Sequence, residues 1–128
     1  MKIAIFENER SEVDGIFRYL NTKSYFDGKL QVEYFPSSQD FADLKNLGQW
    51  DLVFVDIDLS ANSELDGYGL ISQIYEVLPS PPVIAIITGH AFAQEKLPAG
   101  GGKLRIFNKP LLVDDINEFI KKNEQEMH

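Results

Sequence analysis

The chain has 128 residues, a length for one domain (1–128) with a core of its own; it has no cysteine, which excludes disulfides, thiolate chemistry and sulfur-ligated zinc. Its formal net charge of −8 argues against direct binding to nucleic acid or an anionic membrane, because both require basic patches that displace counterions. The N-terminus turns acidic at Glu7, too soon for a signal-peptide core, and no stretch reaches the length of a membrane span, so a cytoplasmic location is expected.

Strand-like and helix-like patterns alternate five times along the chain. Ile3–Phe6 is a short apolar run, and Val13, Ile16, Phe17 and Leu20 then fall on one helix face. The polar stretch Asn21–Gly28 breaks that helix. Leu30, Val32 and Tyr34 alternate with Gln31, Glu33 and Phe35, as in a strand with one face less buried. Ser37 and Asp40 have capping-box spacing, and Phe41, Leu44 and Leu47 predict a short second helix. Leu52–Val55 is wholly apolar, the pattern of a strand covered on both faces of a parallel sheet.

Beyond a polar loop, Leu70, Ile71, Ile74, Val77 and Leu78 predict a third helix, stopped by the prolines at 79, 81 and 82. Val83–Ile87 is a fourth, fully apolar strand. His90–Leu97 predicts a weak fourth helix, ended by Pro98 and three consecutive glycines. Leu104–Phe107 predicts the fifth strand. Val113, Ile116, Phe119 and Ile120 then mark a terminal helix, with Lys121 and Lys122 placed against its dipole. Five such units predict an α/β doubly wound, five-stranded parallel sheet in the order 2-1-3-4-5, flavodoxin-like, with strands 2 and 5 at the edges.

In open parallel sheets functional groups gather beyond the carboxyl ends of the strands. Glu7, Asn8 and Glu9 follow strand 1, Asp56 and Asp58 follow strand 3, Thr88 and Gly89 follow strand 4, and Lys109-Pro110 follow strand 5. Acidic groups at adjacent strand ends make an oxygen-rich pocket for a hard cation such as Mg²⁺, and a neighbouring hydroxyl and ammonium suit an anion beside it. Together these groups describe phosphoryl transfer to an aspartate.

This set resembles the receiver domain of two-component response regulators, over essentially the whole chain. The resemblance implies that Asp56 is the phosphoacceptor, that Thr88 and Lys109 follow the phosphoryl group, and that Gly89 leaves it room. It implies Mg²⁺ held by Glu7, Asn8, Asp56 and the backbone carbonyl of Asp58. It also implies a commonly cis Lys109-Pro110 peptide and an Asp66-Gly67 pair opening the third helix. The partners it implies are a histidine kinase or phosphotransfer protein and a downstream protein target, and it allows a homodimer. No activity is implied beyond the chain's own phosphorylation.

The sequence departs from that pattern. Asn8 stands where an acidic metal ligand is expected, Ser60 where a proline is common, and Ile106 where the family has a switch aromatic. The 60–65 loop is about two residues longer than usual in the family and is expected to be mobile. Asn8 and Ile106 favour an alternative, a pseudo-receiver that docks proteins without being phosphorylated. Asp56-Ile57-Asp58-Leu59-Ser60 is also similar to the nucleophile motif of haloacid-dehalogenase-type phosphatases. That family has the motif on its first strand, however, and Asp114-Asp115 look like the start of the last helix. Glu9 reads as a surface residue, Asn8 equally as a helix cap or a metal ligand, and Trp50 as partly buried packing. His90 reads as exposed and His128 as disordered.

Overall fold

A computed structural model describes residues 1–59, 62–89 and 104–126. Five strands, β1 (Lys2–Phe6), β2 (Gln31–Phe35), β3 (Leu52–Asp56), β4 (Val83–Thr88) and β5 (Arg105–Asn108), form one sheet in the order β2-β1-β3-β4-β5. All four pairings are parallel, and Phe6 lies opposite Phe35 on one side and Val55 on the other. Every residue of β3 is buried, whereas β2 and β5 are largely open, as edge strands are. The predicted fourth helix, with His90, and also Ser60 and His128, lie outside the described residues.

Side-chain alternation divides the strands between two cores. Ile3, Ile5, Leu52, Phe54, Ala85, Ile87 and Phe107 point to one face. There they meet Phe17 and Leu20 of α1 (Asp14–Leu20), with Ile116 and Ile120 of the terminal helix (Val113–Glu126). Ala4, Phe6, Val53, Val55, Ile84 and Ile86 point to the other face, against Leu70, Ile71 and Ile74 of α2 (Gly67–Val77). The terminal helix is α3 in this numbering. Each fully buried side chain of this size contributes roughly 1.5–3 kcal/mol.

Three local expectations change. The predicted second helix is two 3₁₀ segments, Ser38–Asp40 and Leu44–Gln49. The expected Ser37/Asp40 pairing is present, with the Ser37 N–H and hydroxyl both donating to Asp40 Oδ2. Phe41 then turns extended (φ −94°, ψ 108°). In that conformation its ring lies 5.0 Å from Phe35 and 6.2 Å from Trp50, so tertiary aromatic packing overrides the helical stripe. Second, α3 runs on to Glu126, so Lys121 and Lys122 stand short of its last turn; its favourable dipole partners are Asp114 and Asp115 in the first turn. Third, of the loop expected to be mobile, residues 62–65 are hydrogen-bonded to the segment around Ser38, while 60 and 61 lie outside the described residues. Ser38 N–H donates to Ser63 Oγ (2.9 Å), Leu65 N–H to Ser38 Oγ (3.0 Å) and Glu64 N–H to Gln39 Oε1 (2.9 Å).

Candidate functional site

The carboxyl ends of β1, β3 and β5 open on a cleft of about 540 Å³, lined by Asn8, Glu9, Glu12, Asp56, Asp58, Gly89, Lys109 and Pro110. Asp56 ends β3 and is 2% exposed. Both its oxygens are engaged: the Asp58 N–H donates to Oδ1 at 2.8 Å and the Lys109 ammonium donates to Oδ2 at 3.0 Å. The same ammonium donates to Glu7 Oε1 at 2.5 Å, across 102 positions of sequence. Lys109 is itself set in place by β4, since its backbone N–H donates to the Thr88 carbonyl at 2.9 Å.

The α2 terminus supports Asp56 from behind. Asp66 caps the helix, its Oδ1 accepting the Gly69 N–H at 2.7 Å. Gly67 lies so close that a Cβ there would stand 2.4 Å from Ile57 Cα and 2.5 Å from the Asp56 carbonyl oxygen. Only glycine fits this approach, which accounts for the Asp66-Gly67 pair.

Burial and charge set the protonation states. Burial first, and then its interaction with Asp56, push the Glu7 carboxyl up to about 8, against the opposing pull of Lys109. As a carboxylate, Glu7 Oε2 is buried without a hydrogen-bond partner. Protonated, it can donate to Asp56. Burial also raises Asp56, but hydrogen bonds from Glu7, Lys109 and the Asp58 amide together outweigh it and hold this carboxylate below its usual range. Lys109 is likewise desolvated, yet its carboxylate partners push it above the ordinary lysine value.

No family model matches the chain, and no curated protein matches it. Solved structures do. The receiver domain of a DNA-binding response regulator from Colwellia psychrerythraea 34H superposes with a TM-score of 0.77 at 19% identity, covering 98% of each chain. A two-component response regulator from Clostridium difficile gives 0.74 at 19% identity, over 100% of this chain and 98% of that one. A receiver domain protein from Methanospirillum hungatei JF-1 gives 0.72 at 21% identity, over 98% and 97%. This is the receiver fold.

Within that fold the expected site residues divide into those in contact and those nearby. Glu7, Asp56 and Lys109 are bonded to one another, and Asn8, Asp58 and Gly89 line the same cleft. Asn8 caps no helix, because the positions before the first 3₁₀ turn and α1 are Glu9 and Val13. Thr88 is buried at the end of β4, with Gly89 rather than Thr88 on the cleft wall. The Lys109-Pro110 peptide is cis. Ile106 is 37% exposed, so the strand that carries a switch aromatic in receivers presents a branched aliphatic side chain here. Asp114 and Asp115 stand in the first turn of α3, as expected.

Glu12 was not singled out from the sequence. It lies in the 3₁₀ turn Arg10–Glu12, and its Oε2 stands 3.0 Å from Lys109 Nζ. The available signal was its place beside Val13 on the polar side of the first helical pattern, just beyond a strand end.

Proposed function

We propose that the chain is a signalling receiver that accepts a phosphoryl group on Asp56 from the phosphohistidine of a histidine kinase or phosphotransfer protein, and signals through a protein contact. The observation that supports this best is the Asp56 carboxylate bonded to Lys109 in an open cleft at the strand ends of a receiver fold. In the transfer an Asp56 oxygen attacks phosphorus while the P–N bond to the donor imidazole breaks. The imidazole departs with the bonding pair and takes up a proton, leaving an acyl phosphate. Lys109 neutralises charge on the phosphoryl oxygens, and we assign the Thr88 hydroxyl to one of them.

The donor set suits Mg²⁺, which typically uses one or two carboxylates and keeps several waters. Glu7 and Asp56 are those carboxylates, with the Asn8 amide oxygen and the Asp58 carbonyl as neutral donors. The partnerless Glu7 Oε2 is a buried oxygen of the kind such a cation satisfies. When bound, the ion would neutralise charge that builds on the phosphoryl oxygens.

A second reading, a docking module that works unphosphorylated, draws on the thin acidic set. Among the described residues no three Asp, Glu or His side chains are grouped to hold a metal. Intact-mass measurement with acetyl phosphate, with and without Mg²⁺ and beside Asp56→Asn, separates the two. The expected result is one Mg²⁺-dependent phosphoryl adduct, lost in the variant. No adduct at saturating donor and metal overturns the receiver reading in favour of the docking module.

A further inference from the structure

Lys109 Nζ has three carboxylate neighbours: Glu7 Oε1 at 2.5 Å, Asp56 Oδ2 at 3.0 Å and Glu12 Oε2 at 3.0 Å. Glu7 and Asp56 each accept a hydrogen bond from this ammonium, and Glu12 adds a third negative charge as an ion pair. A phosphoryl group on Asp56 must compete with the remaining carboxylates for this ammonium. Glu7 and Asp56 have side chains 0% and 3% exposed, enclosed between the strand ends. The Glu12 side chain is 44% exposed, on a single 3₁₀ turn that buries no residue. Exposed ion pairs are weak, so Glu12 is the partner that yields.

We propose that Glu12 is a displaceable rim carboxylate that occupies the phosphoryl group's place on Lys109 and restrains phosphorylation of Asp56 until it leaves. This rests on the reading of Asp56 as the acceptor. Glu12 acts through Lys109 and is a positioning residue, restraining the reaction by holding the cation and by repelling an anionic donor at the cleft mouth.

The test compares wild type, Glu12→Gln and Glu12→Asp. The rate of adduct formation from acetyl phosphate with Mg²⁺ is followed by intact mass at low and at high salt. Glu12→Gln is expected to react about threefold to fivefold faster at low salt, the factor corresponding to an exposed ion pair. The gain should collapse near 1 M salt, where the Debye length is about 3 Å, because its origin is charge. Glu12→Asp, which keeps the charge, should stay below Glu12→Gln. An unreactive wild type beside a reactive Glu12→Gln also supports the proposal. A reactive wild type with no gain in Glu12→Gln, or a gain that salt leaves untouched, overturns this role for Glu12 and leaves the acceptor reading standing. If neither protein reacts, the acceptor reading fails and this role fails with it.

Discussion

Glu7 is a carboxylic acid in a place that disfavours its charge. Its pKa in the folded chain, about 8, lies above the ordinary glutamate value of 4.5. The folded state therefore holds a proton across that window that the unfolded chain releases, and stability drains as pH rises. The contribution is whole below pH 4.5, declines between 4.5 and 8, and is gone above 8. Urea midpoints in metal-free buffer should accordingly fall from pH 5 to pH 8.5 in the wild type, and Glu7→Gln should flatten that decline. An unchanged slope in the variant would assign the pH dependence to other groups. Asp56 and Lys109 were legible as candidates because each stands at the end of a strand-like run, and strand ends gather chemistry in this architecture. The raised Glu7 carboxyl was not legible. It depends on how tightly the sheet closes over Glu7 and on Asp56 arriving beside it from another strand, against the opposing pull of Lys109.

At the level of elements, the β3–α2 junction is the part that positions Asp56. Gly67 packs on the Asp56–Ile57 backbone, its N–H donating to the Ile57 carbonyl at 3.1 Å. Gly67→Ala forces a methyl into backbone atoms that cannot rotate aside. The expected cost is about 1–3 kcal/mol in urea unfolding, together with slower adduct formation at Asp56. A variant of wild-type stability and rate would show that this junction yields. Asp66-Gly67 was expected from the family resemblance, and the structure supplies its reason in the Asp66 cap and the close approach of Gly67. The second helix could not be excluded from the sequence. Its capping spacing and apolar stripe are sound local signals, but Phe41 gains more from the Phe35 and Trp50 rings than from continuing a helix. The length of α3 was hidden for the opposite reason. Its last turns, through Asn123, Glu124 and Glu126, are polar enough in sequence to resemble a tail, and buried Asn123 donates to the Phe119 carbonyl at 2.8 Å.

Across the whole molecule, one sheet separates two cores, and strands β1, β3 and β4 contribute side chains to both. Neither core can open without disturbing strands that the other needs. Phe54 sits at the centre of its face, with ring centroids of Phe17, Phe119 and Phe107 at 5.3, 5.8 and 6.2 Å. Phe54→Ala should lower stability by about 3–5 kcal/mol. Trp50 reports on the opposite face, where it packs beside Phe35 and Phe41. Its fluorescence should still move with the far-ultraviolet circular dichroism in one transition, in both wild type and variant. Separate midpoints for the two probes would show that the faces unfold independently.

Strand number, order and the identity of the buried strands were determined by the sequence alone, because period and apolar run length are local properties that a parallel sheet must satisfy. The same holds for Asp56, Asn8, Asp58, Thr88, Gly89 and Lys109 as groups at strand ends. What only the tertiary structure decided was which of these groups touch and what else joins them. Lys109 lies between Glu7, Asp56 and Glu12, while Thr88 is covered at the end of its strand. Such contacts arise from the twist and closure of the sheet and from one short turn at its rim. No spacing along the chain encodes them, since the ammonium reaches Glu12 from a strand at the other end of the sequence.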